Sequence, residues 1–290
     1  MQATGTIEVR RIAADQLIPR KPEDYVDVGL VGFLDKLAFG PNLILKGAKG
    51  SGKSLAIEVW AAEHEIPLLR QDCCEDTGVR DLVGSFSLEG ESVFFQLGAL
   101  AAAVDVANEV GACVLVLEEI NALPPAAQKV LNSIADYRQE ISIPKIGRVF
   151  RLGAKQRVWV MGTMNPNYTG TYNLNEDMRS RFEFVEVNYM GIEQERDLLT
   201  RQFPSKPNAQ ERQFIDHLLN LARETRSGQL EYGLSTRDLV QVVRNFVRTG
   251  NLDAALKLLE GKFEGENVKN FRTRIMSTFR INLDTVRLYG

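Results

Sequence analysis

Histidine and cysteine are scarce in this sequence: two histidines, His64 and His217, and three cysteines, Cys73, Cys74 and Cys113, in 290 residues. Neither histidine lies beside a serine or cysteine in a recognisable nucleophile motif, which argues against triad hydrolysis. The adjacent pair Cys73-Cys74 has no second C-x-x-C or paired histidine to complete a zinc site, and side chains next to each other on a strand point to opposite faces. Such sparse cysteine makes no disulfide framework and fits a reducing compartment. No run of eighteen apolar residues occurs, and the start, MQATGTIEVRRIAAD, lacks the apolar core of a secretory signal, so a cytoplasmic protein that neither leaves the cell nor spans a membrane is expected. A formal charge of −3 supplies no long-range pull on nucleic acid or anionic lipid. There is no internal repeat or low-complexity stretch. What is present is ordinary for a globular chain, 44% apolar and 25% charged, with length for one large domain and an appended lobe or for two ordinary domains.

Residues 1–40 read as a lead-in, with a polar patch around Pro19 and Pro22 and a short helix over Phe33 to Phe39. From Asn42 the pattern becomes strand, glycine turn, helix, strand: NLILK, GAKGSGKS, SLAIEVWAAEHE and PLLRQD. ACVLVLEE (112–119), RVWVMGTMN (157–165) and FEFVEVNY (182–189) are short apolar runs of the kind expected of strands buried on both faces of a parallel sheet. Helical patterns lie around the first of these, ALAAAVDVANEV before it and PPAAQKVLNSIADY after it, the latter with prolines where a helix start tolerates them. Residues 41–190 are therefore expected to form a three-layer α/β domain. Beyond Tyr189 only helical stretches follow, so 191–261 is expected to be a small α-helical lobe. Ser235 and Asp238 have the spacing of a capping box. Residues 262–290 form a basic, partly apolar extension with no motif.

GAKGSGKS, residues 47–54, fits G-x-x-x-x-G-K-[ST] and stands between a predicted strand and a predicted helix, the context that gives this motif its meaning. Gly47, Ala48, Lys49, Gly50, Ser51 and Gly52 offer backbone N–H groups to phosphates, and the helix running on through Leu55 adds its positive end. Lys53 is expected to reach the β- and γ-phosphates and Ser54 to bind Mg²⁺. VLVLEEIN supplies the acidic strand end such a loop needs: Glu118 as metal ligand and Glu119 as the base that polarises the attacking water. The commoner pair is Asp-Glu. A longer first carboxylate alters metal geometry, so a nucleotide-gated module that hydrolyses little is one competing reading, and a nucleic-acid motor or restriction-type GTPase is another.

The order and spacing of GAKGSGKS, VLVLEEINALPPAAQKVLNSI, VWVMGTMNP and NLNEDMRSRF resemble the MoxR group of AAA+ ATPases, nearest its CbbQ, NorQ, GvpN and cobalt-chelatase small-subunit branches. The resemblance covers roughly residues 40–250. It implies a P-loop AAA+ core with a mainly parallel five-stranded sheet, followed by a helical lid, with ATP and Mg²⁺ bound between them. It implies that Asn165 is sensor 1, that Arg181 is the arginine finger with Arg179 beside it, and that Arg237 is sensor 2. The stretches 82–100 and 141–152 are similar to the group's helix-two insert and to the hairpin before sensor 1, both of which face a ring's channel; Phe94 and Phe95 could equally be core. The implied partners are further copies of the chain, in a ring that is most often a hexamer, and a protein to be remodelled. That client often carries a von Willebrand factor A domain, and the work is metal insertion or enzyme reactivation.

Overall fold

A computed structural model describes residues 7–23, 25–27, 29–37, 42–136, 138–166, 171–229 and 232–279. It divides into two compact units: Met1–Pro22, Gly29–Gly47 and Gly52–Val187 form the first, and Glu23–Val28, Ala48–Ser51 and Asn188–Gly290 the second.

The strands of the first unit are β1 (Glu8–Arg10), β2 (Asn42–Lys46), β3 (Leu68–Asp72), β4 (Gly84–Glu89), β5 (Ser92–Leu97), β6 (Ala112–Glu118), β7 (Glu140–Ile143), β8 (Arg148–Arg151), β9 (Arg157–Met164) and β10 (Phe182–Glu186). Five of them form a wholly parallel sheet in the order β10-β2-β9-β6-β3. The central strands are the uninterrupted apolar runs. Cys113 to Leu117 and Val158 to Thr163 are buried throughout, as a strand covered on both faces must be. Side chains alternate between those faces. Cys113, Leu115 and Leu117 join the cluster built on Leu100, Ala103 and Val104 of the helix Ala99–Val110, whereas Trp159 of β9 meets Trp60 of the helix Lys53–Glu63 edge to face at 5.4 Å. The edge strand β10 differs from the sequence expectation. FEFVE in β10 leaves Glu183 and Phe184 exposed, since an edge strand has a neighbour on one side only.

A smaller sheet, β1-β5-β4, combines the antiparallel hairpin β4–β5 with β1, which runs parallel to β5. The lead-in is thereby part of a folded sheet. Phe95 is fully buried in the main core, and Phe94, facing the other way, is covered by the Arg10 guanidinium 3.6 Å from its ring centre. The apolar side chains the hairpin leaves outside are Phe86, Leu88 and Val93. β7 and β8 form the second hairpin, with Ile141, Ile143 and Phe150 buried and Val149 exposed. The predicted early helix is Leu30–Lys36; Phe39 lies outside the described residues.

In the second unit the helices are Ile192–Thr200, Ala209–Glu224, Thr236–Thr249, Leu252–Glu260 and Glu266–Phe279. Asn208, Ser235 and Asn251 cap the starts of three of them with their side chains. Ala209–Glu224 continues into a π-helical turn, Thr225–Gln229. That turn aims Arg226 at Glu195, with bonds of 2.8 and 2.9 Å to its two carboxylate oxygens. Phe271 and Ile275 of the last helix are fully buried with Leu218, Leu239 and Leu256, so the basic extension through Phe279 belongs to this helical core.

Candidate nucleotide site

The glycine loop begins where β2 ends, and Gly47 N–H donates to Met164 O at 3.0 Å, tying it to the end of β9. Gly50 and Gly52 take φ of +75° and +89°, a left-handed conformation that side chains resist, and the helix starts at the next residue, Lys53. Its first N–H groups have no intrahelical partners and point back over the loop. Ala48–Ser51 pack with the helical unit: Tyr189 Oη donates to Lys49 O at 3.4 Å, and a Cβ built on Gly50 would lie 2.5 Å from Ser235 Cβ. Leu55 is half-buried in the first turn of the helix.

Lys53 is buried, and its Nζ donates to Gly47 O at 2.8 Å and to Asn165 Oδ1 at 3.0 Å. Burial lowers its pKa to about 8, against the opposing pull of Glu118 and Glu119. An ammonium so dehydrated gains from meeting phosphate. The other face of the Asn165 amide donates from Nδ2 to Glu119 Oε1 at 3.2 Å, so one side chain links the lysine to the second carboxylate. Asn121 Nδ2 donates to Asn165 O at 3.3 Å and steadies that residue.

Glu118 closes β6. Its Oε2 accepts from Ser54 Oγ at 2.7 Å and from Thr163 Oγ1 at 2.5 Å, and Arg70 Nε lies 3.8 Å from Oε1. Glu119 leaves the strand in the left-handed region, φ 54° and ψ 47°, with its N–H donating to Thr163 Oγ1 at 3.2 Å. A non-glycine residue held there is the kind of strained position that recurs at working sites. The adjoining oxygens of Ser54 and Glu118 suit Mg²⁺, a hard cation that takes one or two carboxylates plus substrate phosphates. Among the described residues no group of three or more His, Cys, Asp and Glu side chains stands together as a metal cage, and Mg²⁺ held by one or two protein oxygens ordinarily completes its shell with water and substrate phosphates.

Of the remaining candidates, Arg181 ends the helix Glu176–Arg181, donates from Nη1 to Asp177 O at 2.9 Å and lines a cleft of about 470 Å³ with Asn42, Asp136 and Arg157. Arg179 is exposed on the same helix. Arg237 is exposed at the start of Thr236–Thr249, with its Cβ 3.8 Å from the position a Gly50 Cβ would take. The structure thus brings Lys53, Ser54, Glu118, Glu119 and Asn165 together in the first unit, with Arg179 and Arg181 apart from them. Sequence reasoning missed Thr163, Asn121 and Arg70. Only Thr163 left a signal, standing two places before Asn165 and so on the same face of its strand.

A glycine loop leading into a helix, a lysine and a serine at that helix start, and paired carboxylates at the end of β6, separated from β2 by β9 alone, have the form of a P-loop nucleotide-binding fold. Residues 42–182 match the AAA domain of the dynein-related subfamily, and the parallel five-stranded α/β fold with helices following it is consistent with an AAA+ core and helical lid. Among relatives, uncharacterized protein YojN of Bacillus subtilis is 31% identical over 205 residues, covering 70% of this chain and 66% of YojN, so the match spans just under two thirds of that protein. Uncharacterized protein SH1500 of Staphylococcus haemolyticus is 26% identical over 240 residues, 79% of this chain and 88% of that one. Among solved structures, a point mutant of Thermotoga maritima RuvB shows 13% identity and a TM-score of 0.49, covering 92% of this chain and 76% of that one. No described helix is long and apolar enough to cross a membrane.

Proposed function

We propose that the chain binds ATP with Mg²⁺ at Gly47–Ser54, hydrolyses it with Glu119 as base, and acts as one subunit of a homo-oligomeric ring that remodels a partner protein. The observation that carries the reading is the convergence of two hydrogen-bonded chains at the strand ends, Lys53–Asn165–Glu119 and Ser54–Glu118–Thr163. Lys53 exchanges the Gly47 carbonyl for β- and γ-phosphate oxygens, recovering the polar contact that burial has cost it. Ser54 and Glu118 would hold Mg²⁺, which when bound neutralises charge on the β- and γ-oxygens. Glu119 accepts the proton of the attacking water, and Asn165 fixes the carboxylate that receives it.

Arg181 serves a neighbouring copy in this reading. Phe182 pairs with Asn42 and Glu186 with Lys46, so Arg181 precedes the start of β10 while the loop follows the end of β2. Four residue steps at about 3.3 Å separate those ends by about 13 Å along the strands, farther than an arginine side chain extends. A guanidinium at that end stabilises transferring phosphate only across an interface, where it contributes about a thousandfold or more in rate. The ring is read as a hexamer and the client as a protein of the von Willebrand factor A type, supported by the motif order and by the apolar side chains exposed on both hairpins, Phe86, Leu88, Val93 and Val149. Arg237 is read as a phosphate contact that is lost with the γ-phosphate, which turns hydrolysis into movement.

The test is a mixture. Lys53→Ala should lose ATP binding with its circular dichroism unchanged, and Arg181→Ala should bind ATP but turn over poorly. Combined, the two inactive proteins should regain activity, since an intact Lys53 site then meets an intact Arg181. Wild-type turnover per chain that is undiminished in a verified monomer would overturn the shared site.

A further inference from the structure

We propose that Thr163 is the positioning residue for both carboxylates of this site, and that its hydroxyl is what lets a glutamate serve at position 118. The inference rests on the nucleotide-site reading and goes beyond it in naming a residue that touches neither nucleotide nor reacting water. It begins with strand register. β6 and β9 pair in parallel with Leu117 opposite Gly162, so one residue further on Glu118 stands opposite Thr163, with their side chains on the same side of the sheet. Thr163 is buried, and its hydroxyl has one proton and two lone pairs to place. The proton goes to Glu118 Oε2 at 2.5 Å, and a lone pair accepts Glu119 N–H at 3.2 Å.

One oxygen atom therefore fixes the side chain of the metal-side carboxylate and the backbone of the base. Glu118 carries one methylene more than an aspartate would and must lose more side-chain freedom to present Oε2 beside Ser54. Ser54 Oγ, 2.7 Å away, cannot be its lasting anchor, because that hydroxyl is needed for metal. Thr163 remains. The Glu119 amide is a second debt on the same hydroxyl, since the left-handed backbone at φ 54° takes that N–H out of any regular ladder and leaves Thr163 as its acceptor. Thr163 is to Glu118 what a hydrogen-bonded outer partner is to a metal ligand, and such partners govern metal affinity as well as rate.

The experiment compares Thr163→Val, which keeps the branched shape and removes the hydroxyl, with Thr163→Ser, which keeps the hydroxyl. Mn²⁺ is the probe, its binding followed by paramagnetic resonance with a non-hydrolysable ATP analogue on the full chain, alongside nucleotide affinity in EDTA and steady-state turnover. Thr163→Val should weaken Mn²⁺ binding and lower kcat by about ten- to a hundredfold each, the range for lost outer-shell partners. Metal-free nucleotide affinity, set by Lys53 and the loop, should stay within about twofold, and Thr163→Ser should recover most of both losses. In a Glu118→Asp background the valine change should matter less, because the shorter carboxylate no longer reaches the hydroxyl. Should Thr163→Val fail to fold, Thr163→Ala poses the same question, with Thr163→Ser again as the rescue. Unchanged Mn²⁺ affinity in a folded valine or alanine variant overturns the proposal, as does failure of serine to rescue. A wild type that binds nucleotide and Mn²⁺ without turnover would refute the hydrolytic reading, and the Mn²⁺ comparison would still decide the role of Thr163.

Discussion

Alanine at Gly50 should damage the protein more than alanine at any open glycine of similar backbone. The backbone there has φ +75°, and an added Cβ would come within 2.5 Å of Ser235 Cβ and 2.8 Å of Ser235 Oγ. Ser235 cannot yield easily. Its N–H and hydroxyl donate to Asp238 Oδ2 at 2.8 and 2.7 Å, the same oxygen accepts from Tyr232 Oη at 2.8 Å, and Lys262 pairs with the other. Gly147 provides the control, since its φ of +62° is similar but nothing lies within 4 Å of the Cβ position. Gly147→Ala should therefore cost only the left-handed strain, about 1–2 kcal/mol. Gly50→Ala should add about 1–3 kcal/mol of overpacking, giving about 2–5 kcal/mol in all. Urea denaturation of both variants, with ATP affinity measured beside it, reads the difference. Ser235→Gly in the Gly50→Ala background should restore most of the excess, because glycine is a tolerable helix cap at a few tenths of a kcal/mol. Equal behaviour of the two alanine variants in stability and in ATP affinity would refute the argument that this contact holds the loop.

Truncating Phe95, fully buried beneath the β4–β5 hairpin, should cost about 3–5 kcal/mol in the same denaturation assay, whereas Phe86→Ala should stay within about 1 kcal/mol because its ring lies only partly covered at the edge of Phe95. Thiol labelling at pH 8 should be fast at one cysteine per native chain and at three after denaturation. Cys74 is exposed, while burial pushes the Cys73 and Cys113 thiols up to about 12, which leaves about one part in ten thousand as thiolate. Peptide mass spectrometry after a short pulse identifies the labelled residue, and fast native labelling of Cys113 would contradict the burial of β6.

Much of the architecture was legible because it rests on local pattern. A run such as Cys113 to Leu117, apolar without alternation and ending in two carboxylates, can hardly be anything but a covered parallel strand beside a phosphate loop. The helix cap at Ser235, with Asp238 three residues on, follows from side-chain chemistry at fixed spacing. What escaped depends on contacts between segments far apart in the chain. The pairing of Glu8–Arg10 with Phe94–Gln96 gives no local sign in a three-residue strand. Phe94 and Phe95 are buried on opposite faces only because Arg10 covers one of them, and Phe184 is exposed only because β10 is an edge. The last helix has no motif, yet Phe271 fills the second core. Thr163 could not be ranked above other threonines until the register of β6 against β9 placed its hydroxyl opposite Glu118.

The central claim is that Glu119 is the base of an ATP-hydrolysing site. Steady-state phosphate release by the wild type, Glu119→Gln and Glu118→Gln, each with its ATP affinity measured on the same preparation, tests it most directly. Glu119→Gln should bind ATP as the wild type does and turn it over about a hundredfold or more slowly, the range for loss of a positioned base. Turnover that survives in Glu119→Gln but is lost in Glu118→Gln would contradict the assignment of the two carboxylates, and turnover retained by both would contradict the account of the site.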